Sequence, residues 1–273
     1  MSRTGTPYDE QFFAAIDPES RASAQTVLPL VLDLVEPASA IDVGCGSGAW
    51  SRTLLDLGVD DVVGVDGPYV PPEHRVDAFV ENDLRRPLRI DRRFDLALCL
   101  EVGEHLPHER AAGLVDDLVR LAPVVLFSAA VPGQGGTDHV NERWPEHWVS
   151  LFEAQGWRCW DALRPWIRSE PSVAWWYRQN LFLAAAPGRD HQFRRFPRLS
   201  GTRLVHPVDY LGPLPGAGHP PSPAGAAAEP LPASSGAATP ALEPAAPTLR
   251  DAARVARTAL RHRWRAVVDR TTT

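Results

Sequence analysis

A chain of 273 residues, 44% of them hydrophobic and nine of them Trp, can bury a full core, which excludes wholesale disorder. No apolar run approaches the length of about 18 residues needed for a membrane span, and no apolar stretch follows the first residues, so neither a transmembrane helix nor a signal peptide is expected. The net charge of −6 divides unevenly, with 16 Arg against 28 acids in residues 1–186 and 12 Arg against 6 acids in residues 187–273; an acidic body is a poor surface for phosphate backbones, so a nucleic-acid substrate is not expected.

Asp17-Pro18-Glu19 reads as a helix start, with Asp17 as N-cap and Pro18 in the first turn, ahead of an apolar stripe through Val27, Leu28, Val31, Leu34 and Val35. Short apolar strands follow at 40–43, 62–65, 78–80, 94–100 and 124–128, with helical patterns at 51–57 and 110–121 between them. Buried strands joined by helices predict an α/β fold with a doubly wound, Rossmann-like parallel sheet. Two further strand-like runs, 157–163 and 179–186, are separated only by a loop and predict an antiparallel hairpin at the sheet edge. Residues 1–190 therefore form one domain. Residues 191–247 are a Pro/Ala/Gly-rich extension, read as a disordered linker from about His206. Over 248–270 a C-terminal helix is expected, capped by Thr248. It sets Leu249, Ala253, Ala256, Leu260, Trp264 and Val267 beside an arginine stripe, and would dock on the domain, on a partner or on an anionic membrane surface. The three cysteines, Cys45, Cys99 and Cys159, make neither an even framework nor a CxxC pair; they read as reduced thiols of a cytoplasmic protein.

The segment Asp42-Val43-Gly44-Cys45-Gly46-Ser47-Gly48 lies between a strand and a helix. Its glycines let the backbone turn sharply and approach a ligand. Gly44, Gly46 and Ala49 also satisfy the dinucleotide pattern G-x-G-x-x-G/A, so the loop alone is ambiguous. Charge separates the two ligands. Asp42 sits two residues before the first glycine and Glu101 ends a neighbouring strand; a carboxylate 4 Å from a phosphate costs roughly 4 kcal/mol at an effective dielectric near 20. A ligand carrying a sulfonium and an α-ammonium, S-adenosylmethionine, is favoured instead. Asp66 ends the second strand about 20 residues past the glycines, where it can accept ribose hydroxyls. Asn82-Asp83-Leu84 ends the third strand, within reach of the adenine amino group.

Together these motifs, with the block Phe94–Pro107, resemble the class I S-adenosylmethionine-dependent methyltransferases over residues 8–186. The resemblance implies that Asp42, Gly44, Cys45, Gly46 and Gly48 hold the methionine part, Asp66 the ribose, Asp83 and Leu84 the adenine, and that Glu101 borders the cofactor. An antiparallel strand closing the sheet is a feature of that family. Gln134–Trp144 and Trp175–Asn180 further resemble a bacterial group associated with saccharides or natural products, which implies a small-molecule acceptor, methylated on a hydroxyl oxygen.

Two loops at the carboxyl ends of strands carry the candidate chemistry: Glu101–Pro107 and the glycine-rich Pro132–Trp144. His105 or His139 can serve as general base for an acceptor hydroxyl, with Glu101 beside them. Alternatively Glu101, Glu104, His105 and His139 form a divalent metal site, an arrangement that resembles metal-dependent 2′-O-methyltransferases of small RNAs. A third possibility is that Glu101 and His105 are pocket-wall groups held by hydrogen bonds. Seven of the nine Trp fall between Trp144 and Trp176; core packing accounts for most, and one or two can line an acceptor pocket. A dinucleotide-dependent oxidoreductase and a non-catalytic cofactor-binding module stay open beside the methyltransferase.

Overall fold

The computed structural model describes residues 10–199, with side chains from residue 16 onward; the linker and C-terminal helix expected from the sequence lie outside the described residues. The strands are β1 (Ser39–Val43), β2 (Asp61–Asp66), β3 (Phe79–Glu81), β4 (Leu96–Leu100), β5 (Val124–Ser128), β6 (Arg158–Trp160) and β7 (Phe182–Ala185). They form one seven-stranded sheet in the order β3-β2-β1-β4-β5-β7-β6. The first five run parallel, and β7 enters antiparallel to both β5 and β6. The expected Rossmann-like sheet with an antiparallel edge is thus the observed one. Because the chain winds outward from β1 through β3 and then returns to β4 on the other side of β1, strand order reverses between β1 and β4. In open α/β sheets that reversal opens a crevice at the carboxyl ends of the strands.

Alternation along the strands feeds two cores. Ala40, Val62, Leu96, Leu98, Val124 and Leu126 face α1 (Glu10–Val35) and α2 (Ala49–Asp56). Ile41, Val43, Ala97, Cys99, Val125 and Phe127 face α3 (Ala111–Leu121) and α4 (Pro145–Ala154). Strands buried on both faces are why the sequence reads as continuous apolar runs. Trp148, fully buried, packs on Phe127, and Phe127 also meets Phe152 and Phe182; of the seven Trp between Trp144 and Trp176, only Trp148, Trp157 and Trp160 are buried, fewer than the expectation that core packing accounts for most.

Two local readings are corrected. Asp17 is not an N-cap: α1 begins at Glu10 and carries Pro18 and Pro29 inside it, and Asp17 instead pairs with Arg21 at 3.7 Å. Pro removes one helix hydrogen bond, but a stripe from Ala24 to Val35 buried against the sheet outweighs that local stop signal. The edge strands are shorter than the runs 157–163 and 179–186, and two short helices, α5 (Arg164–Ile167) and α6 (Trp175–Asn180), replace the loop between them. Buried Arg164 holds this insertion, donating to Asp161 at 2.9 Å and to the Gln179 carbonyl at 3.1 Å. Among the described residues no helix is long and apolar enough to cross a membrane.

On the far side of the sheet, buried Asp117 of α3 accepts from Arg110, from Arg120 and from the Leu88 amide, pinning the irregular segment after β3. Removing that carboxylate leaves a buried guanidinium uncompensated. Asp117→Ala should therefore lose about 3–5 kcal/mol of stability in urea unfolding; a loss under about 1 kcal/mol would show that the pair contributes little.

Candidate functional site

The crevice between β1 and β4 opens into a cavity of about 890 Å³, bounded by Gly44–Ser47, Asp66–Tyr69, Asn82–Arg85, Leu100–Val102, Glu104–Leu106, Gln134–Val140 and Trp175–Tyr177. The loop after β1 forms its floor. Gly44 takes a left-handed φ of 79°, and a Cβ there would lie 2.3 Å from a Val102 methyl, so only glycine passes between β1 and the β4 loop. Gly46 is also left-handed and points its amide at Asp66 Oδ2, 2.8 Å away. Gly48 sits at the N-terminus of α2, off the cavity wall, with a built Cβ only 2.6 Å from the His74 carbonyl oxygen.

Each strand end contributes a carboxylate. Asp42, buried on β1, accepts from Ser51 at 2.6 Å, yet burial raises its pKa to about 7. Asp66 at the end of β2 accepts from Tyr69 at 2.5 Å and from the amides of Gly46 and Gly67; burial still moves its carboxyl upward. Asp83 also borders the cavity but is more exposed, and Arg85 grips it at 2.8 and 3.0 Å, holding its carboxyl low. Leu84 is buried against the same wall, and among the described residues Asn82 Oδ1 has no hydrogen-bond partner there.

Glu101 follows β4 in a left-handed conformation, φ 54°, uncommon for a residue with a Cβ. Its carboxylate accepts from Gln134 at 3.1 Å and from Asn180 at 3.1 Å. Asn180 also donates to Gln134 at 3.0 Å, so one amide bridges β4, the glycine loop and α6. Glu104 lies in the single turn Gly103–His105, fully buried, and among the described residues neither carboxyl oxygen accepts a hydrogen bond. Burial, and then the charge of Glu101 beside it, push this carboxyl well above its ordinary range.

Of the four groups grouped in the sequence as a metal set, three converge: ligand atoms of Glu104, His105 and His139 lie within 4.8 Å of one another. Glu101 is not among them; its carboxylate is turned to Gln134 and Asn180. The imidazoles of His105 and His139 meet edge to face at 4.9 Å. Burial and the neighbouring His139 lower the His105 pKa to about 4, so His105 is neutral near pH 7. His139 hydrogen-bonds Glu142 through Nδ1 at 2.9 Å. The loop is tied down by Val140 and Asn141 amides donating to the Glu104 carbonyl at 2.8 and 2.9 Å.

The sequence did not single out Ser51, Tyr69 or Glu142, and it named Asn82 only as part of the segment Asn82-Asp83-Leu84. Tyr69 lies three residues past Asp66 and Glu142 three past His139, but such spacings are frequent in loops and signal a partner only once the loop's path is known. Asn180 and Gln134 stood within recognised blocks without a role.

A family model described as a methyltransferase domain matches residues 14–178. The chain belongs to this family, the class I S-adenosylmethionine-dependent methyltransferases. No curated protein matches it. Among solved structures it resembles a sugar N-methyltransferase from a Streptoalloteichus species, at 16% identity over 68% of this chain and 96% of that one, with a TM-score of 0.53. It also resembles a protein of Nostoc punctiforme assigned as an O-methyltransferase, at 14% identity over 64% and 59% of the two chains and a TM-score of 0.48. Human N-acetylserotonin methyltransferase, solved with S-adenosylmethionine, matches at 19% identity over 67% and 60% with a TM-score of 0.40. At these identities the likeness speaks for the fold alone, and the chain spans about 60% of the Nostoc and human proteins.

Buried Asp42 makes a testable imprint on stability. Folded, it keeps its proton up to about pH 7, whereas the free carboxyl loses it near 3.8. Between those values the folded state binds more protons than the unfolded, so this group's contribution falls as pH rises. Unfolding free energies of the wild type and Asp42→Asn, measured from pH 4 to 8, should diverge with rising pH in favour of the variant; parallel curves would contradict the raised pKa.

Proposed function

We propose that the chain transfers a methyl group from S-adenosylmethionine to a hydroxyl oxygen of a small molecule, such as a saccharide or natural product. The observation that carries this reading is the ring of buried carboxylates around a glycine floor at the strand-order reversal. Asp42 and Asp66 are both raised by burial, which a bound cation would reverse, and the nearby Asn82 carbonyl oxygen awaits a donor. These features fit the cofactor. When bound, it supplies an electrophilic methyl carbon on a sulfonium. In this reading Asp42 and the Gly44–Ser47 backbone hold the methionine part, and Asp66 accepts the ribose hydroxyls with Tyr69 alongside. Asn82, Asp83 and Leu84 border the adenine.

Methyl transfer to a hydroxyl needs positioning and removal of one proton. The two imidazoles are unequal for that task. With a pKa near 4, His105 is a weak base, so it serves as a neutral wall that keeps a second positive charge from building beside His139. His139, held by Glu142, is the base. Glu101, with Gln134 and Asn180, shapes the floor between the cofactor and the acceptor, and Trp175 and Trp176 supply an apolar wall on which a ring can stack.

The convergence of Glu104, His105 and His139 favours a second reading. A divalent ion there would restore charge to the unpartnered Glu104 carboxylate and bind the acceptor oxygen directly. Turnover that survives excess chelator, together with calorimetry showing no binding of Mg²⁺ or Mn²⁺, would end it.

Calorimetry with S-adenosylhomocysteine should show a saturable site and NAD none; the opposite pattern would overturn the cofactor assignment. With an acceptor found by a mass-resolved methylation screen, His139→Ala should lower turnover by about 10²–10⁴-fold at unchanged cofactor affinity. A loss under fivefold would remove His139 from the chemistry.

A further inference from the structure

We propose that Glu142 is the positioning residue of this site: one carboxylate selects the proton tautomer of His139 and fastens the glycine loop over the cavity. The proposal deepens the reading of His139 as the base and rests on it.

Three donors converge on Glu142. Its Oε1 accepts from His139 Nδ1 at 2.9 Å and from the Gly135 amide at 2.7 Å, and its Oε2 accepts from the Gly133 amide at 2.7 Å. Backbone amides can only donate, and one reaches each carboxyl oxygen, so both oxygens stand as acceptors, and a carboxylate held in this way only accepts hydrogen bonds. It follows that Nδ1 must carry the ring proton. The opposite tautomer would aim the Nδ1 lone pair at a negative oxygen. With the proton on Nδ1, the neutral ring keeps its basic lone pair on Nε2, and the ring borders the cavity.

The loop is shaped for this one contact. Gly133 and Gly135 have φ of 86° and 71°, and nothing lies within 4 Å of a Cβ built on either. These glycines are thus required by conformation and not by crowding; the left-handed turns curl two amides toward one anion, as backbone nests do. Gly136 is required by space. A Cβ there would come within 2.3 Å of His139 Nε2, so the bare backbone passes against the ring and backs it onto Glu142. Loop closure and base orientation depend on the same carboxylate, so a loop that opens also releases the tautomer.

The test uses the full chain labelled with ¹⁵N-histidine, with tautomers read from the ring nitrogen shifts at pH 7.5. In the wild type, His139 should show a protonated Nδ1 and an unprotonated Nε2. Glu142→Ala should lose that single tautomer, and the Gly133 and Gly135 amides should exchange faster with solvent while amides of the strands do not change. Gly136→Ala, which keeps the carboxylate but displaces the ring, should also lose the tautomer; it carries the test if Glu142→Ala does not fold. Retention of the Nδ1–H tautomer in either folded variant would overturn the proposal, as would an Nε2–H ring in the wild type. Calorimetry with S-adenosylhomocysteine on the same samples separates the two layers: failure of the wild type to bind refutes the cofactor reading, whereas a tautomer that ignores Glu142 refutes only the positioning role.

Discussion

The constraint on which the site depends is the burial of carboxylates at the carboxyl ends of parallel strands, with no cationic side chain matched to them among the described residues. Asp42, Asp66 and Glu104 are each pushed upward, mainly by desolvation, and among the described residues none has an arginine partner. Elsewhere the protein handles buried acids differently. Asp117 meets Arg110, and Asp161 meets Arg164. The contrast distinguishes structural acids, satisfied within the chain, from acids left to be satisfied by something that enters the cavity.

The fold sets up this arrangement by topology. Reversal of strand order between β1 and β4 keeps any helix from covering the carboxyl ends at that point, so the loops after β1 and β4 meet there as Gly44 against Val102. The edge pair β6 and β7 brings α6 to the same mouth, and with it Asn180, whose amide ties Glu101 to Gln134. The antiparallel edge thereby does more than finish the sheet: it supplies the wall opposite the glycine floor. The strained backbone of Glu101 is kept in place by that bridge.

Much of this was legible in the sequence because the signals were local and redundant. The strands are buried on both faces and so read as short apolar runs, and Asp42, Asp66 and the glycines recur at fixed distances from strand ends. Where reading failed, long-range packing won over a local signal. Asp17-Pro18 looks like a helix start, yet α1 runs through it because its stripe is clamped to the sheet. The run from Trp157 to Leu163 looks like one strand, but the Asp161–Arg164 pair ends it after Trp160 and begins a helix. In the site, the sequence could propose the four-residue metal set but not its geometry. Glu101 stays outside the converging set because Gln134 and Asn180, the latter 79 residues later, hold its carboxylate. Glu142 went unnoticed since its role exists only when three glycines fold the loop back on it.

Buried Asp42 keeps its proton near neutral pH until a cation pairs with it. Calorimetric titration of S-adenosylmethionine at pH 6, repeated in buffers of different ionisation enthalpy, reads the protons exchanged on binding. Asp42 is mostly protonated at that pH, so the account predicts net release approaching one proton, reduced to near zero in Asp42→Asn. Binding with no proton release, or release that persists undiminished in the variant, would contradict it.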